Sequence, residues 1–265
     1  MKRYLQSIAI GLLILFAVSC NRTTSSFSFV QVCDPQLGMG GYEHDTATLG
    51  QAVRQINALN VDFVIFCGDL VNHAGDNSYS DFKNIIAELI IPYYYIPGNH
   101  DIGMVPNDTS LAFYRSTMGE DYFSFYHKGV PFILTNSQLW KTDIGEESRK
   151  HDEWFKKTMV SVLKDGRPIV VGHFPIYIQD IDEEESYSNF PPEKRIELLE
   201  LFKEENVVAY LSGHKHVHLN NNYQGIQLVT GESTSKNFDK RPMGFRKWEV
   251  RADTLIHSFI ALEFY

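Results

Sequence analysis

The sequence predicts an α/β fold in which two mixed β-sheets pack face to face, with helices on their outer faces. Short apolar runs rich in β-branched and aromatic residues alternate with longer segments whose apolar residues recur at helical spacing. Several of the short runs are apolar nearly throughout, which is typical of parallel strands that are covered on both faces. Because each half of the chain contains such a set, we expect each half to contribute one sheet.

Length and composition favour one globular domain. A chain of 265 residues with 43% hydrophobic content can bury one large core. The formal net charge of −9, without a stripe of Lys and Arg, argues against a protein that binds nucleic acid chiefly through electrostatic attraction. Cys33 and Cys67 each end a strand-like run, and we expect free thiols because no disulfide framework is visible. The expected assembly is a monomer.

The first residues have the pattern of a signal peptide, which we assign to residues 1–19. Lys2 and Arg3 precede a largely apolar run from Ile8 to Val18. This run is shorter than the roughly 20 apolar residues that cross a bilayer, so a signal peptide fits better than a transmembrane helix.

The end of this segment, Ala17-Val18-Ser19-Cys20, resembles a bacterial lipobox. It implies a lipid on Cys20, a tether over 20–26 and a folded domain over 27–265. The protein would then be anchored in the cell envelope, on the periplasmic or surface side of a bacterial membrane. Ala17 stands where such motifs usually have Leu, which leaves an ordinary secretory signal and a secreted protein as the alternative.

In the first half, we expect strands over 27–33, 61–66 and 93–96 and helices over about 45–60 and 81–89. Each strand is followed by a polar residue, namely Asp34, Asp69 or Asn99. Ligands gather beyond the carboxyl ends of strands in open α/β sheets, so we expect these side chains to converge. The third strand leads into Gly98-Asn99-His100-Asp101, which brings an amide, an imidazole and a carboxylate together.

In the second half, histidines follow two further predicted strands. A strand over 169–171 precedes Gly172-His173, and one over 207–211 precedes Gly213-His214-Lys215-His216. The other expected elements are a helix over 109–117, a hairpin over 122–127 and 130–136, helices over 147–163 and 191–205, and strands over 227–230, 245–251 and 255–263. We interpret the acidic segment 180–185, near Tyr177 and Tyr187, as solvated surface, with a lid or selectivity loop as the alternative.

Oxygen donors thus come from the first half and imidazoles mostly from the second. A mixed set of this size exceeds what one four-coordinate zinc ion needs. It suits two divalent ions about 3.5–4 Å apart, a spacing used for in-line attack at phosphorus. A carboxylate such as Asp69 can bridge two ions because it has two oxygens.

Five ordered motifs resemble those of the calcineurin-like metallophosphoesterases. They are Asp34-Pro35-Gln36, Gly68-Asp69, Gly98-Asn99-His100-Asp101, Gly172-His173 and Gly213-His214-Lys215-His216. The resemblance implies a four-layer αββα sandwich and a metal-dependent phosphoester hydrolase, a phosphatase or phosphodiesterase, in which metal-bound hydroxide attacks phosphorus. It implies two divalent ions, of manganese, iron or zinc, and a phosphorylated substrate.

Carried over residue by residue, the resemblance implies a role for each polar residue at the strand ends. One ion would be held by Asp34, Gln36, Asp69 and His216. The other would be held by Asp69, Asn99, His173 and His214. His100 would stabilise the transition state or protonate the leaving oxygen, and Asp101 would orient its imidazole.

Gln36 departs from the family pattern, in which the first motif usually reads Asp-x-His. An amide oxygen in place of an imidazole nitrogen should weaken or harden that site and favour manganese or magnesium. The Asp-Pro-Gln start resembles a single-domain branch of the family whose vertebrate members are regarded as serine/threonine-protein phosphatases, so we interpret Gln36 as a variant ligand. The alternative is a lipid-anchored binding protein that has lost one ion and has little turnover. His44, His73 and His218 are expected outside the ligand set, with contact to substrate as the alternative for His73, which lies close after Asp69.

Overall fold

The computed structural model describes residues 26–162, 166–251 and 254–264. The predicted signal peptide over 1–19, Cys20 and all of the predicted tether except Ser26 lie outside the described residues. Within those ranges, no helix has both the length and the apolar character that a membrane span requires.

Strands and helices alternate along the described part of the chain. The strands are β1 (Phe27–Val32), β2 (Phe63–Cys67), β3 (Tyr93–Ile96), β4 (Phe123–His127), β5 (Val130–Leu134), β6 (Ile169–Val171), β7 (Ala209–Ser212), β8 (Leu219–Tyr223), β9 (Ile226–Thr230), β10 (Gly244–Arg251) and β11 (Thr254–Ala261). The helices are α1 (Tyr42–Asn57), α2 (Asp76–Ile86), α3 (Asn99–Ile102), α4 (Asp108–Thr117), α5 (Gln138–Lys141), α6 (Glu146–Val162) and α7 (Pro192–Glu204).

Two mixed sheets form the centre of the molecule, which confirms the predicted fold class. The first sheet has the strand order β11-β10-β1-β2-β3, and the second has the order β4-β5-β6-β7-β9-β8. Strands β1, β2 and β3 are parallel to one another, as are β5, β6, β7 and β9, and antiparallel strands flank each set. The carboxyl ends of the parallel strands therefore lie side by side at one end of each sheet.

Three apolar cores account for the four layers. Helices α1 and α2 bury residues such as Val53 and Phe82 against one face of the first sheet. Helices α6 and α7 bury Phe155 and Phe202 against one face of the second sheet. The third core lies between the sheets and consists of strand residues from both. Cys33 and Cys67 lie in it as free, buried thiols, as predicted.

The division of the sheets along the chain differs from the prediction. The hairpin β10–β11 comes from the second half of the chain but joins the first sheet, where Trp248 lies opposite Phe29. Trp248 is fully buried, and its indole N–H donates to Gln31 Oε1 at 2.9 Å. The hairpin covers an edge of β1 that would otherwise expose unpaired backbone groups. This pairing explains why a hairpin from the second half of the chain belongs to the first sheet.

Two local expectations also change. The helix expected over 81–89 is α2, which begins and ends earlier. Strand β8 was not predicted because it contains three consecutive asparagines, a residue with low strand propensity. It forms by antiparallel pairing with β9 across Gln224 and Gly225, whose φ angles are 49° and 94°.

Candidate metal centre

Seven polar side chains meet where strands of both sheets end. The first sheet supplies four of them and the second sheet supplies three. They are Asp34, Gln36, Asp69, Asn99, His173, His214 and His216, and each is at most 6% exposed. These are the seven ligands implied by the sequence. The structure brings the side chains of Asp69, Asn99, His173 and His214 together and places His216 beside Asp34, and the backbone N–H of Gln36 donates to the carbonyl oxygen of Asp69 at 2.8 Å.

The backbone is strained at most of these positions. Five of the seven have φ in the left-handed region, namely Asp34 (48°), Gln36 (35°), Asp69 (49°), His214 (69°) and His216 (52°). For residues other than glycine this conformation costs of the order of 1–3 kcal/mol each, and such strain concentrates at functional sites. Holding this set of side chains in place therefore lowers the stability of the fold.

Glycines allow the carboxylates to approach the neighbouring motifs. A Cβ atom on Gly213 would lie 2.6 Å from Asp34 Oδ2, and one on Gly98 would collide with the Asp69 carboxylate. With glycine at both positions, the backbone N–H of His214 donates to Asp34 Oδ1 at 2.9 Å, and that of His100 donates to Asp69 Oδ1 at 2.9 Å. Glycine is required next to both carboxylates because of this close packing.

Backbone carbonyl oxygens orient all three histidines. His173 Nδ1 lies 2.8 Å from Cys67 O, His216 Nδ1 lies 2.6 Å from Lys236 O, and His214 Nε2 lies 3.3 Å from Tyr187 O. A carbonyl oxygen only accepts hydrogen bonds, so the nitrogen that faces it carries the hydrogen. The opposite nitrogen of each ring faces the cluster, which is the arrangement of metal-binding histidines in proteins.

The inward-facing atoms are all able to bind a cation. His173 Nε2 lies 3.3 Å from Asp69 Oδ2, 3.2 Å from Asn99 Oδ1 and 3.2 Å from His214 Nδ1. The ligand atoms of Asp69, His173 and His214 all lie within 4.8 Å of one another. Lone pairs this close repel one another unless a proton or a metal ion lies among them, so the donor set fits a divalent cation.

The pKa shifts of His173 and Asp69 also indicate a site for a cation. Burial alone would lower the pKa of His173, but the facing Asp69 carboxylate, with Asp34 behind it, raises it to about 9. Burial would likewise raise the pKa of Asp69, but His173, His100 and His214 hold it below its usual range. The Asp69 carboxylate therefore requires a compensating positive charge, and a divalent ion would replace the proton on His173.

Gln36 is held as a ligand would be. Its Nε2 donates to Asn72 Oδ1 at 3.2 Å, so the opposite atom of the amide, Oε1, is left for the site. This oxygen is buried and has no hydrogen-bond partner among the described residues. A buried amide oxygen without a partner is costly, and a bound cation would satisfy it. The structure thus favours the interpretation of Gln36 as a variant ligand.

The predicted orientation of His100 by Asp101 is wrong. The Asp101 carboxylate accepts backbone N–H groups of Leu70 (3.1 Å), Val71 (3.2 Å) and Gly98 (2.7 Å), and so fixes the loop after β2. His100 Nδ1 instead donates to the carbonyl oxygen of Asn72 at 3.0 Å. Helix α3 begins at Asn99, and its first turn points these two adjacent side chains in different directions.

Comparison with known proteins decides the family. A family model for calcineurin-like phosphoesterases matches residues 27–218. The chain belongs to the calcineurin-like phosphoesterases. Serine/threonine-protein phosphatase CPPED1 of Bos taurus is 30% identical over 267 residues, which cover 89% of this chain and 84% of the relative. The family assignment drawn from the five motifs is confirmed.

A second named relative is also a phosphoesterase, and a solved structure shares the fold. The 3′,5′-cyclic adenosine monophosphate phosphodiesterase CpdA of Haemophilus influenzae is 24% identical over 230 residues, which cover 80% of this chain and 79% of the relative. A dimetal phosphatase from Danio rerio has the same fold, with a TM-score of 0.68 at 13% identity over 88% of this chain and 95% of that one. This calcineurin-like phosphoesterase is therefore a metal-binding phosphoester hydrolase, and the alternative of a binding protein without turnover finds no support.

The loop 231–238 completes this calcineurin-like site and was not predicted. The hydroxyl groups of Ser233 and Ser235 donate to the carbonyl oxygen of Asp34, at 2.8 and 3.0 Å. Lys236 supplies the carbonyl oxygen that orients His216, and the Phe238 ring stacks on His216 with 4.7 Å between centroids. Lys236 acts through its backbone, which no side-chain motif could reveal. The buried salt bridge between Glu232 and Arg246, at 2.9 Å, anchors the loop to β10.

The histidines expected outside the ligand set do lie outside it. His218 Nδ1 donates to Thr230 O at 2.9 Å, and His44 Nδ1 lies 2.9 Å from the Asp45 carboxylate. His73 is exposed, and its Nε2 lies 3.2 Å from Asn72 Nδ2.

Proposed function

We propose that this phosphoester hydrolase works with two divalent ions and acts on phosphomonoesters. The Gln36 position would consist of Asp34, Gln36, Asp69 and His216, and the Asn99 position of Asp69, Asn99, His173 and His214. The observation that carries this proposal is the set of seven buried polar side chains at the strand ends, which includes the unpartnered Gln36 Oε1 and the close group of Asp69, His173 and His214. Seven ligand side chains exceed what one four-coordinate ion needs.

The chain's own residues would prepare the reaction. Two bound ions would supply a nucleophile at neutral pH and offset the negative charge that develops at phosphorus. Asp69 would hold the two positions at a fixed separation, and its Oδ1 accepts the backbone N–H of His100 at 2.9 Å. Because His100 Nδ1 donates to Asn72 O, His100 Nε2 is the atom that can hold a proton for the leaving oxygen.

The preference for monoesters rests on the relatives named above. CPPED1 is named a phosphatase and covers more of this chain, at higher identity, than the cyclic nucleotide phosphodiesterase. Turnover of nitrophenyl phosphate and bis-nitrophenyl phosphate should be compared with manganese, iron, zinc and magnesium. We expect faster turnover of the monoester, with manganese among the most active metals because Gln36 offers a hard oxygen donor. Faster turnover of the diester would overturn the substrate assignment, and no turnover with any of the metals would overturn the function.

We also propose that the protein is exported and anchored in a bacterial cell envelope through lipid on Cys20. The supporting features are the charged start, the apolar run before Val18 and the lipobox-like end at Cys20. Labelling with radioactive palmitate in a bacterial host should mark the wild type and not Cys20→Ala. Equal labelling of both, or recovery of the wild type in the cytosol with residues 1–19 retained, would contradict the proposal.

A further inference from the structure

The loop that follows β6 has a rigid internal framework. The Glu183 carboxylate accepts the backbone N–H groups of Ile178 at 2.7 Å and Gln179 at 2.9 Å. Arg195, which is fully buried, donates to the carbonyl oxygens of Ile181, Glu183 and Phe190, the last at 2.9 Å. The acidic segment is therefore more than solvated surface, because the Glu183 carboxylate holds the backbone of the loop in this conformation.

This framework holds Tyr187 against the Asn99 position. The Tyr187 carbonyl oxygen accepts from His214 Nε2 at 3.3 Å, and its ring lies on the His214 imidazole with 4.9 Å between centroids. Its hydroxyl oxygen lies 3.2 Å from Asn99 Nδ2. Tyr187 is nevertheless 56% exposed, so one side of the residue is open to an incoming molecule.

The direction of the hydrogen bond between Asn99 and Tyr187 follows from which of their atoms can donate. Asn99 Oδ1 faces His173 Nε2 at 3.2 Å, where it would bind a cation, so the amide presents its N–H to Tyr187. The Tyr187 hydroxyl oxygen is then an acceptor in that bond, and its own hydrogen remains to be donated. Among the described residues, no acceptor for this hydrogen is found.

We propose that the Tyr187 hydroxyl donates a hydrogen bond to a phosphoryl oxygen of the substrate. Tyr187 is thereby a catalytic residue that lies outside the five sequence motifs. No proton is transferred in this role: the hydroxyl stays intact and stabilises the negative charge that develops on the phosphoryl oxygens. The inference rests on the proposed function, because it requires a phosphoester at the Asn99 position.

The test compares Tyr187→Phe with Tyr177→Phe. Both variants lose one hydroxyl from the same loop, but the Tyr177 hydroxyl donates to Asn222 O at 3.4 Å and has no contact with the seven ligands. At saturating Mn²⁺ we expect Tyr187→Phe to lower kcat for nitrophenyl phosphate by about 10- to 100-fold, as for loss of one preorganised donor, and to raise KM by no more than about 10-fold. Tyr177→Phe should remain within about twofold of the wild type.

Activity at saturating Mn²⁺ separates this role from a purely positioning one. If Tyr187 served only to orient Asn99, Tyr187→Phe would bind Mn²⁺ more weakly and would regain full activity at saturating metal, and that result would overturn the proposal. Equal kcat in both variants would overturn it as well. We expect loss of the hydrogen bond to Asn99 to weaken Mn²⁺ binding about 10-fold and the loss of kcat to remain at saturating Mn²⁺.

Binding of inorganic phosphate gives a readout that does not depend on turnover. In calorimetric titrations of the Mn²⁺-loaded proteins, Tyr187→Phe should bind phosphate about 5- to 10-fold more weakly than Tyr177→Phe. Equal phosphate affinities would contradict the proposal even if the wild type hydrolysed none of the substrates tried. A wild type that binds phosphate tightly but lacks turnover would overturn the proposed function, and the inference on Tyr187 would then stand or fall on the phosphate titration.

Discussion

The two candidate metal positions differ in how their ligands are supplied and held. The Asn99 position has two imidazoles, and three of its groups have ligand atoms within 4.8 Å of one another. The Gln36 position has one imidazole, and His216 Nε2 lies 3.6 Å from Asp34 Oδ1. Its fourth ligand is an amide whose direction depends on a single hydrogen bond from Gln36 to Asn72.

This difference predicts unequal metal binding. Imidazole nitrogen is a stronger donor than amide oxygen for iron and zinc, so the Asn99 position should fill first. The Gln36 position should bind more weakly and should accept hard ions such as manganese more readily. In the proposed two-ion site, glutamine in place of histidine would change one position and leave the other intact, because only Asp69 would belong to both.

The largest expected effect is that of Asp69→Ala, which removes the carboxylate shared by both positions. We expect turnover of nitrophenyl phosphate to fall at least about 1,000-fold, since both ions lose a ligand and their mutual placement is lost. Bound manganese, measured by elemental analysis after gel filtration, should fall below one ion per chain. Asp182→Ala is a matched control, because it removes an exposed carboxylate from the loop after β6. Retention of two ions by Asp69→Ala would refute the bridging role.

Substitutions of His100 and Asp101 should separate chemistry from structure. His100→Ala should lower kcat about 100-fold or more, as expected for a general acid, with two ions retained. Asp101→Asn should lower the free energy of unfolding by about 3 kcal/mol, because an amide N–H would face backbone N–H groups that now share a buried carboxylate. Urea titration and steady-state kinetics measure both. If Asp101→Asn were as stable as the wild type and as inactive as His100→Ala, that result would support the predicted orientation of His100 by Asp101.

Asn72→Ala should weaken the Gln36 position selectively. Without the Asn72 side chain, the Gln36 amide is free to rotate, and we expect the weaker manganese dissociation constant to rise about 10-fold. The stronger constant should change little, since no ligand of the Asn99 position contacts the Asn72 side chain. Asn77→Ala, on the exposed surface of α2, serves as the control. A loss of affinity that was equal at both positions would mean that Asn72 acts on the whole site.

An effect on stability alone is expected outside both positions, at His151. This buried imidazole packs against Trp140 and Tyr122, and burial, with lesser contributions from Lys194 and Arg115, lowers its pKa to about 3. The unfolded chain binds a proton on this histidine below about pH 6.5 and the folded chain does not, so stability present above that pH is lost as the pH falls. From pH 7.5 to pH 5 we expect a loss of roughly 2 kcal/mol.

Urea titrations of the wild type and His151→Leu at the two pH values test this. The variant should show a smaller loss of stability on acidification. Equal losses would assign the acid sensitivity to other groups, including the site itself.

Much of this site could be predicted because its ligands follow strands. Apolar runs located the strand ends, and Asp34, Asp69, Asn99 and His173 stand directly beside them. What could not be predicted acts through the backbone or through distant contacts. The carbonyl oxygens of Asn72 and Lys236 orient His100 and His216, and every residue has a carbonyl oxygen, so the residue type gives no signal.

Asp101 shows a second reason why part of the site could not be predicted from the sequence. An Asp next to a His is compatible with direct pairing, but adjacent residues at the start of a helix point in different directions. Besides the N–H of Gly98, the partners of Asp101 are the backbone N–H groups of Leu70 and Val71 in the loop after β2, 31 and 30 residues away in the chain. The position of the hairpin β10–β11 was hidden for a similar reason, since its pairing with β1 spans nearly the whole chain.

Titration of the metal-free protein with Mn²⁺ tests the central claim most directly. The wild type should bind two ions with unequal affinities, and Gln36→Ala should lose the weaker site while it retains the stronger one at nearly the same affinity. A single site in the wild type, or two sites that both survive in Gln36→Ala, would contradict the account.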